Sequence, residues 1–391
     1  MMKAAPVGLP AVVRAARRAT QGFFLLSGIG MSSWAPMVPF AKARLGLDDA
    51  ELGWLLLCMG IGSAASMPLA GYLSHRFGNR NVLGLAAPLL CVAVPLLTVA
   101  PQAALLGAAL VLFGGSLGVV DVAMNAHAVD VERLHGRPLM SGFHGLFSVG
   151  GLAGSAGMSA LLGTGVPLLV CAVVVMLLLL AIVATQWRAL IVIPHDEATA
   201  RRSPFAVPSP TAILVGLLCF AIFLAEGAML DWSAEFLRAA RGFAISGAGL
   251  GYAAFSIAMA VGRLLGDRIT SALGPVRVVR YGGLVAAAGM ALACVLPWPA
   301  TSLLGFVLVG LGAANIVPVL FGAAGRLPRT SAGVAIATVT ALGYTGMLAG
   351  PAVIGLVARA TSLPVALGGI AILLAAVSAQ ASIVRPARGP A

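Results

Sequence analysis

Charged side chains are scarce in this chain: Asp, Glu, Lys and Arg make up 9% of its 391 residues, against about a quarter in soluble globular domains. Acidic residues are the rarest of them, twelve in all, and aromatic residues reach only 6%. A water-dissolved enzyme of ordinary composition is excluded. The five cysteines, Cys58, Cys91, Cys171, Cys219 and Cys294, are odd in number, lie inside apolar runs and show no CxxC or Cys/His spacing. Neither a disulfide framework nor a metal site is indicated. Nucleotide loops are missing too: Gly28-Ile29-Gly30, Gly114-Gly115 and Gly247-Ala248-Gly249-Leu250-Gly251 do not complete GxGxxG after a strand, and no GxxxxGK followed by Ser or Thr occurs. There is no HExxH, and Gly114-Gly115-Ser116-Leu117-Gly118 spells GxSxG inside an apolar run rather than at a strand-to-helix turn. With no polar interval long enough to fold alone, no enzyme is expected and no cofactor is implied.

What is present is apolar: 60% of the residues are hydrophobic, in runs of about 20 that recur along the chain, each long enough to cross a hydrocarbon core as a helix. Breaks at charged, Pro-rich or polar residues predict twelve spans, near 20–41, 52–73, 82–100, 103–128, 138–163, 165–187, 211–234, 246–266, 278–297, 300–323, 332–358 and 364–384. The formal charge of +12 does not point to nucleic acid, because Lys and Arg are scattered between the runs rather than gathered in a patch. They report topology instead. With the N-terminus inside, 19 of the 24 Lys and Arg fall in cytoplasmic segments, Arg263 counted among them, and both termini are expected in the cytoplasm. The apolar stretch after the basic residues Lys3, Arg14, Arg17 and Arg18 has no small-residue cleavage site and reads as a retained first span.

The expected organisation is a basic N-terminus over 1–19, a six-helix bundle over 20–187, a cytoplasmic linker over 188–210 rich in Pro and charge, a second bundle over 211–384, and a tail over 385–391. The halves are similar. A shift of 198 lays Trp34 on Trp232 and Leu52-Gly53-Trp54 on Leu250-Gly251-Tyr252; a shift of 196 lays Gly78 on Gly274 and Leu152-Ala153-Gly154 on Leu348-Ala349-Gly350. Chance matching in so apolar a chain is the competing explanation, and the agreement with the linker weighs against it.

The segment Gly71-Tyr72-Leu73-Ser74-His75-Arg76-Phe77-Gly78-Asn79-Arg80, read as the loop between spans two and three, resembles the signature of the major facilitator superfamily, and the resemblance extends over essentially the whole chain. It implies an all-α membrane protein with twelve transmembrane helices in two pseudo-symmetric six-helix bundles. It also implies a gating role for Gly71, His75, Arg76, Gly78 and Arg80. His75 stands where the family usually has Asp, which makes a charge-network gate absent or tuned through the imidazole. The second-half counterpart, Gly262-Arg263-Leu264-Leu265-Gly266-Asp267-Arg268 leading to Gly274 and Arg277, has altered spacing. Asp121-Val122-Ala123-Met124-Asn125-Ala126 and Glu226 through Ala234 are similar to a bacterial inner-membrane subgroup with fucose-permease-like and rhizopine-associated members.

Charges inside spans are costly, about 2.5–3.5 kcal/mol at a helix centre, so each needs a reason. Glu226 lies deep in span seven, and its neighbours Leu224, Ala225, Gly227 and Ala228 offer no counter-charge. Desolvation penalises an anion there, as a reversible proton carrier requires; the alternative is a permanently neutral Glu bonding across helices. Asp231 and Trp232 are either cavity groups or a solvated helix end and an interfacial anchor, with Arg238 or Arg241 as partners. The repeat sets them against Ser33 and Trp34. Asp121 and Asn125 share a face of span four, and depth-matching places Asp121 level with His144 as a proton pair, unless Asp121 bridges to Arg133 or Arg137. Ser141, His144 and Ser148 form one polar stripe, and Asn315 in span ten either contributes to a shared site or bonds between helices.

The expectation is a secondary transporter in the bacterial inner membrane, driven by protons because carboxyls lie in the membrane and no ATP site exists. Proton coupling is assigned to Glu226, then Asp121, with His144 as relay; solute binding to Ser33, Trp34, Asn125, Asp231, Trp232 and Asn315. The resemblance suggests a small, uncharged sugar or polyol. Its partners would be that solute, protons and the lipid bilayer, with no nucleic acid, and a monomer is expected. The alternatives are proton-antiport efflux of amphiphiles and a non-transporting membrane sensor.

Overall fold

In hydrocarbon a backbone must satisfy its own hydrogen bonds, and this chain does so with helices. The structure, a computed structural model, describes residues 11–47, 49–192, 208–243, 250–327 and 331–385. The first half comprises α1 Ala11–Ser33, α2 Val38–Leu45, α3 Asp49–Phe77, α4 Asn79–Val99, α5 Ala103–His135, α6 Met140–Gly163 and α7 Leu168–Gln186. The second comprises α8 Pro210–Arg241, α9 Leu250–Leu273, α10 Pro275–Val295, α11 Pro299–Ala313, α12 Ile316–Ala324, α13 Ala332–Ala360 and α14 Leu363–Ala379. Ten spans are unbroken helices, and two are each broken once: span one between α1 and α2, span ten between α11 and α12. The protein is therefore an all-α membrane protein of twelve spans.

Local chemistry sets the ends. Pro210, Pro275 and Pro299 open their helices, where a missing N–H costs nothing. Ser209 Oγ accepts from Ala212 N–H at 3.2 Å, and Ser331 Oγ from Val334 N–H at 3.4 Å. The outward faces are apolar, as a lipid solvent demands: Leu85, Leu152 and Ile372 are each about 70% exposed.

Several expected boundaries are corrected. α1 starts at Ala11, so Arg14, Arg17 and Arg18 lie on a helix rather than in a basic tail. Positions 71–80 are not a loop. α3 runs to Phe77 and α4 begins at Asn79, with Gly78 alone between them at φ +80°, ψ 148°, a conformation open only to glycine. The linker expected over 188–210 falls mostly outside the described residues, as do Gly247-Ala248-Gly249 and nearly all of the tail; where described, Trp187–Ala189 is a 3-10 turn.

The described chain divides into two units, one within Met1–Arg137 and Leu146–Ala206, the other within Pro138–Gly145 and Val207–Ala391. The first residues of α6, through Gly145, thus group with the second unit. Each unit repeats the other's backbone devices at a shift near 196. Gly274, between α9 and α10, has φ +79°, ψ 157°, matching Gly78. A Cβ on Gly114 would strike the Met59 carbonyl, and one on Gly310 the Phe255 carbonyl. Gly150 meets the Leu25 carbonyl as Gly346 meets that of Phe220. Arg44 donates to Leu97 O (3.2 Å), and Arg241 to Ala293 O (2.8 Å), each closing the C-terminal end of its unit's third span.

Candidate functional site

Glu226 sits at the middle of α8 and Arg263 near the middle of α9. Arg263 Nη2 donates to Glu226 Oε1 at 2.8 Å, with 10% and 15% of the two side chains exposed. This corrects two expectations. Glu226 has a counter-charge, supplied by another helix rather than by its sequence neighbours, and Arg263 is not a loop residue reporting topology. The signal that could have found it is its place inside the run 246–266, beyond the apolar stretch Ala258–Val261.

The same guanidinium reaches the break in span ten. Proline at 318 has no N–H, so the carbonyl of Ala314, four residues earlier, has no helical donor. Arg263 Nε lies 3.4 Å from that oxygen. Asn315, in the break, donates through Nδ2 to Gly262 O at 3.0 Å, while its Oδ1 is buried without a hydrogen-bond partner among the described residues. Asn315 therefore makes the interhelical bond that was one of its two readings. Gly266 makes room for it: a Cβ there would overlap Asn315 Oδ1 and come within 2.5 Å of Ser141 Cβ.

The start of α6 completes this group. Gly142 N–H donates to Asp267 Oδ2 at 3.1 Å, so an α9 carboxylate satisfies a first-turn donor of α6. His144, one turn on, faces the Phe321 ring of α12 with centroids 5.6 Å apart. The second unit thus holds Glu226, Arg263, Asn315, Asp267 and His144 around α9.

The first unit holds a different carboxyl. Asp121 is 8% and Asn125 0% exposed on α5; Asn125 Nδ2 donates to Asp121 O at 2.9 Å and to Asp121 Oδ1 at 3.3 Å. Asp121 makes no ion pair among the described residues. Arg133 lies instead 3.9 Å from Asp130. Asp121 belongs to the first unit and His144, on the opening turns of α6, groups with the second. Ser33 Oγ donates to Ile29 O of its own helix at 2.6 Å. Trp34 is buried, with its indole Nε1 lacking a partner among the described residues.

Asp231 is exposed, and neither suggested arginine serves it. Arg238 pairs with Glu235 at 2.8 Å, holding that carboxyl below its ordinary value, and Arg241 donates to Ser302 Oγ at 2.9 Å and to carbonyls ending α10. Trp232 lays its ring edge against Gly355 of α13, and its Nε1 lacks a hydrogen-bond partner among the described residues. Of the expected gating residues, Gly71 is buried and His75 half-buried in α3. Arg76 donates to Tyr72 Oη at 2.7 Å, and Arg80 stacks over Trp187, centroid 4.9 Å away. Sequence reasoning also missed His127. Its Nε2 accepts from Ile191 N–H at 3.0 Å, which leaves Nδ1 as donor to Thr20 Oγ1, also at 3.0 Å.

Helices with opposed charges in apolar surroundings and a twofold repeat are the anatomy of a membrane carrier, and comparison with known proteins agrees. Residues 22–232 match the family model described as Major Facilitator Superfamily. An uncharacterized MFS-type transporter of Yersinia pestis is 48% identical over 92% of this chain and 94% of its own. The membrane protein MosC of Rhizobium meliloti is 35% identical over 87% of this chain and 83% of its own. Among solved structures, the Escherichia coli fucose:proton symporter superposes with a TM-score of 0.77 at 14% identity, covering 95% of this chain and 98% of that one. A proton:xylose symporter gives 0.71 at 14% identity, covering 95% of each. These two likenesses show the fold. Twelve spans, the repeated backbone and relatives of this identity together establish that the chain belongs to the major facilitator superfamily of membrane transporters.

Proposed function

We propose that the protein is a proton-coupled secondary transporter that moves a small polar organic solute, sugar- or polyol-like, by alternating access. The observation that carries this reading is the Glu226–Arg263 pair. Two opposite charges sit mid-helix, almost wholly out of water, where neither is tolerated alone. Protonating Glu226 removes one of them and releases the other, so proton binding changes the forces between α8 and α9. Asp121 is the second carboxyl proposed for the proton, with only an amide beside it, and His144 is a relay within reach of Arg263's field.

An uncharged solute suits the second unit, where the buried Glu226 and Arg263 are already paired. Among the groups without a hydrogen-bond partner within the described residues, the indole N–H of Trp34 and Trp232 and the amide oxygens of Asn125 and Asn315 are complementary to hydroxyl groups. With Ser33 and Asp231 they are the proposed binding residues, while Gly71, His75, Arg76, Gly78 and Arg80 are proposed to gate. The fucose and xylose symporters support the solute class by analogy of fold alone. A monomer in the bacterial inner membrane with both termini cytoplasmic completes the reading.

The test is proton flux in proteoliposomes carrying a pH-sensitive dye, with fucose, xylose, sorbitol and a cationic amphiphile as probes. Solute-dependent proton entry that Glu226→Gln abolishes is expected. Flux that survives in Glu226→Gln and vanishes in Asp121→Asn moves the proton site to α5. A signal of opposite sign with the amphiphile alone replaces this reading with efflux, and silence with every probe, binding included, favours a sensor.

A further inference from the structure

We infer that Arg263 is a positioning residue that passes the protonation state of Glu226 to the break in span ten. The inference rests on the reading of Glu226 as a proton carrier and adds what that proton moves.

The geometry is a bridge. One end of the guanidinium, Nη2, is 2.8 Å from Glu226 on α8, and the other, Nε, is 3.4 Å from the Ala314 carbonyl where α11 ends. That carbonyl is available because Pro318 leaves it without a donor. Beside it, the buried Oδ1 of Asn315 has no partner among the described residues. The break therefore offers two acceptors to a cation that is paired with the Glu226 carboxylate at 2.8 Å. When Glu226 takes up a proton its charge is gone and the ion pair with it. The guanidinium still has to be satisfied inside the protein. The carbonyl of Ala314, already 3.4 Å away, and the Oδ1 of the next residue are acceptors that cost no second ion, so Arg263 shifts onto them and tightens the junction of α11 and α12. Deprotonation pulls it back. A broken helix with few internal hydrogen bonds at the junction is the kind of element that takes two arrangements at small cost.

The charged and titratable surroundings of Glu226 are few enough for this to work. Arg263 comes from α9, His144 from the start of α6, and Cys219 lies two turns back on α8. Asp267, also on α9, is occupied by Gly142 N–H. Helices α11, α12 and α14 contain no Asp, Glu, His, Lys or Arg, and α13 carries Tyr344, whose ring meets Phe223 of α8 with centroids 5.8 Å apart, and Arg359 in its last turn.

The experiment needs no solute. Purified protein is titrated from about pH 9 to about pH 4 while the infrared band of the protonated Glu226 carboxyl, identified by its loss in Glu226→Gln, is followed beside amide exchange over residues 314–320, corrected for intrinsic pH dependence. In wild type the band and an exchange change of about tenfold are expected to titrate together. Pro318→Ala gives the Ala314 carbonyl a backbone donor again; its carboxyl band still titrates, but the exchange step shrinks below about twofold. Arg263→Gln loses the step and Arg263→Lys, which keeps the charge, retains part of it. An exchange step unchanged in Pro318→Ala and Arg263→Gln, or flat wild-type exchange while the band titrates, overturns the inference and leaves Glu226 as carrier. A carboxyl band that never appears overturns both.

Discussion

The Glu226–Arg263 pair makes a quantitative prediction that separates an ion pair from a chance approach. At 2.8 Å, with an effective dielectric constant of about 20, the attraction is about 6 kcal/mol, and burying the two ions costs several kcal/mol each. Removing both charges should therefore change stability little, whereas removing one leaves the other buried and alone, at about 3–5 kcal/mol. With an unfolding entropy of roughly 2.1 cal/mol/K per residue over this chain, that loss lowers Tm by about 4–6 °C. Three variants are compared at neutral pH: Glu226→Gln, Arg263→Gln, and the two combined. Melting is followed by a thiol-reactive dye, which reads separation of the helices through the buried Cys91, Cys171 and Cys219. Both single variants are expected to melt several degrees low and the double variant to regain most of the difference. Singles within about 1 °C of wild type, or a double no more stable than the weaker single, would refute the argument that these groups compensate each other.

Gly78→Ala and Gly274→Ala are each expected to cost about 1–3 kcal/mol, because open space surrounds a Cβ at both sites and the strain is wholly torsional; equal falls in Tm would be measured, and a neutral Gly274→Ala would contradict the matched geometry. His127→Leu leaves the Ile191 N–H and Thr20 Oγ1 without their partner and should lose about 1–3 kcal/mol by the same assay, with Thr20→Val losing less. The hydrogen bond from Arg238 holds Glu235 ionised below the usual carboxylate range, so the support this pair gives the last turns of α8 is complete above that range and disappears as the pH falls through the lowered value. Amide exchange over 235–241 should rise only in acid, and Glu235→Gln should remove the step.

Composition and run length were enough to read the twelve spans, since a chain with so little charge has no other way to bury itself. What they could not show is which charges meet. Arg263 and Glu226 are 37 positions apart, and nothing local to either names the other. Gly78 shows the opposite failing: a motif read as a loop is a one-residue joint, because glycine at positive φ turns the chain without any loop at all. The break in span ten was legible in part. Pro318 marks the missing donor, but that an arginine of another helix takes its place depends on packing.

The repeat explains why the fold was easier to read than the site. At a shift near 196, the residues that fix backbone geometry are duplicated: Gly46 with Gly242, Gly78 with Gly274, Gly114 with Gly310 and Gly150 with Gly346. Apart from Trp34 and Trp232, matched at a shift of 198, the residues proposed to carry chemistry are not. Arg263 corresponds to Met67, Glu226 to Gly30, Asp121 to Val317, Asn125 to Phe321 and His144 to Thr340. Two copies of one scaffold need the same close approaches and turns, so a comparison of the halves selects those positions first. A buried charge pair is needed only once, and a second at the matching place would add its desolvation cost without adding a step. The proposed proton-coupling residues are therefore departures from the repeat, and Arg263 is the departure that similarity between the halves concealed.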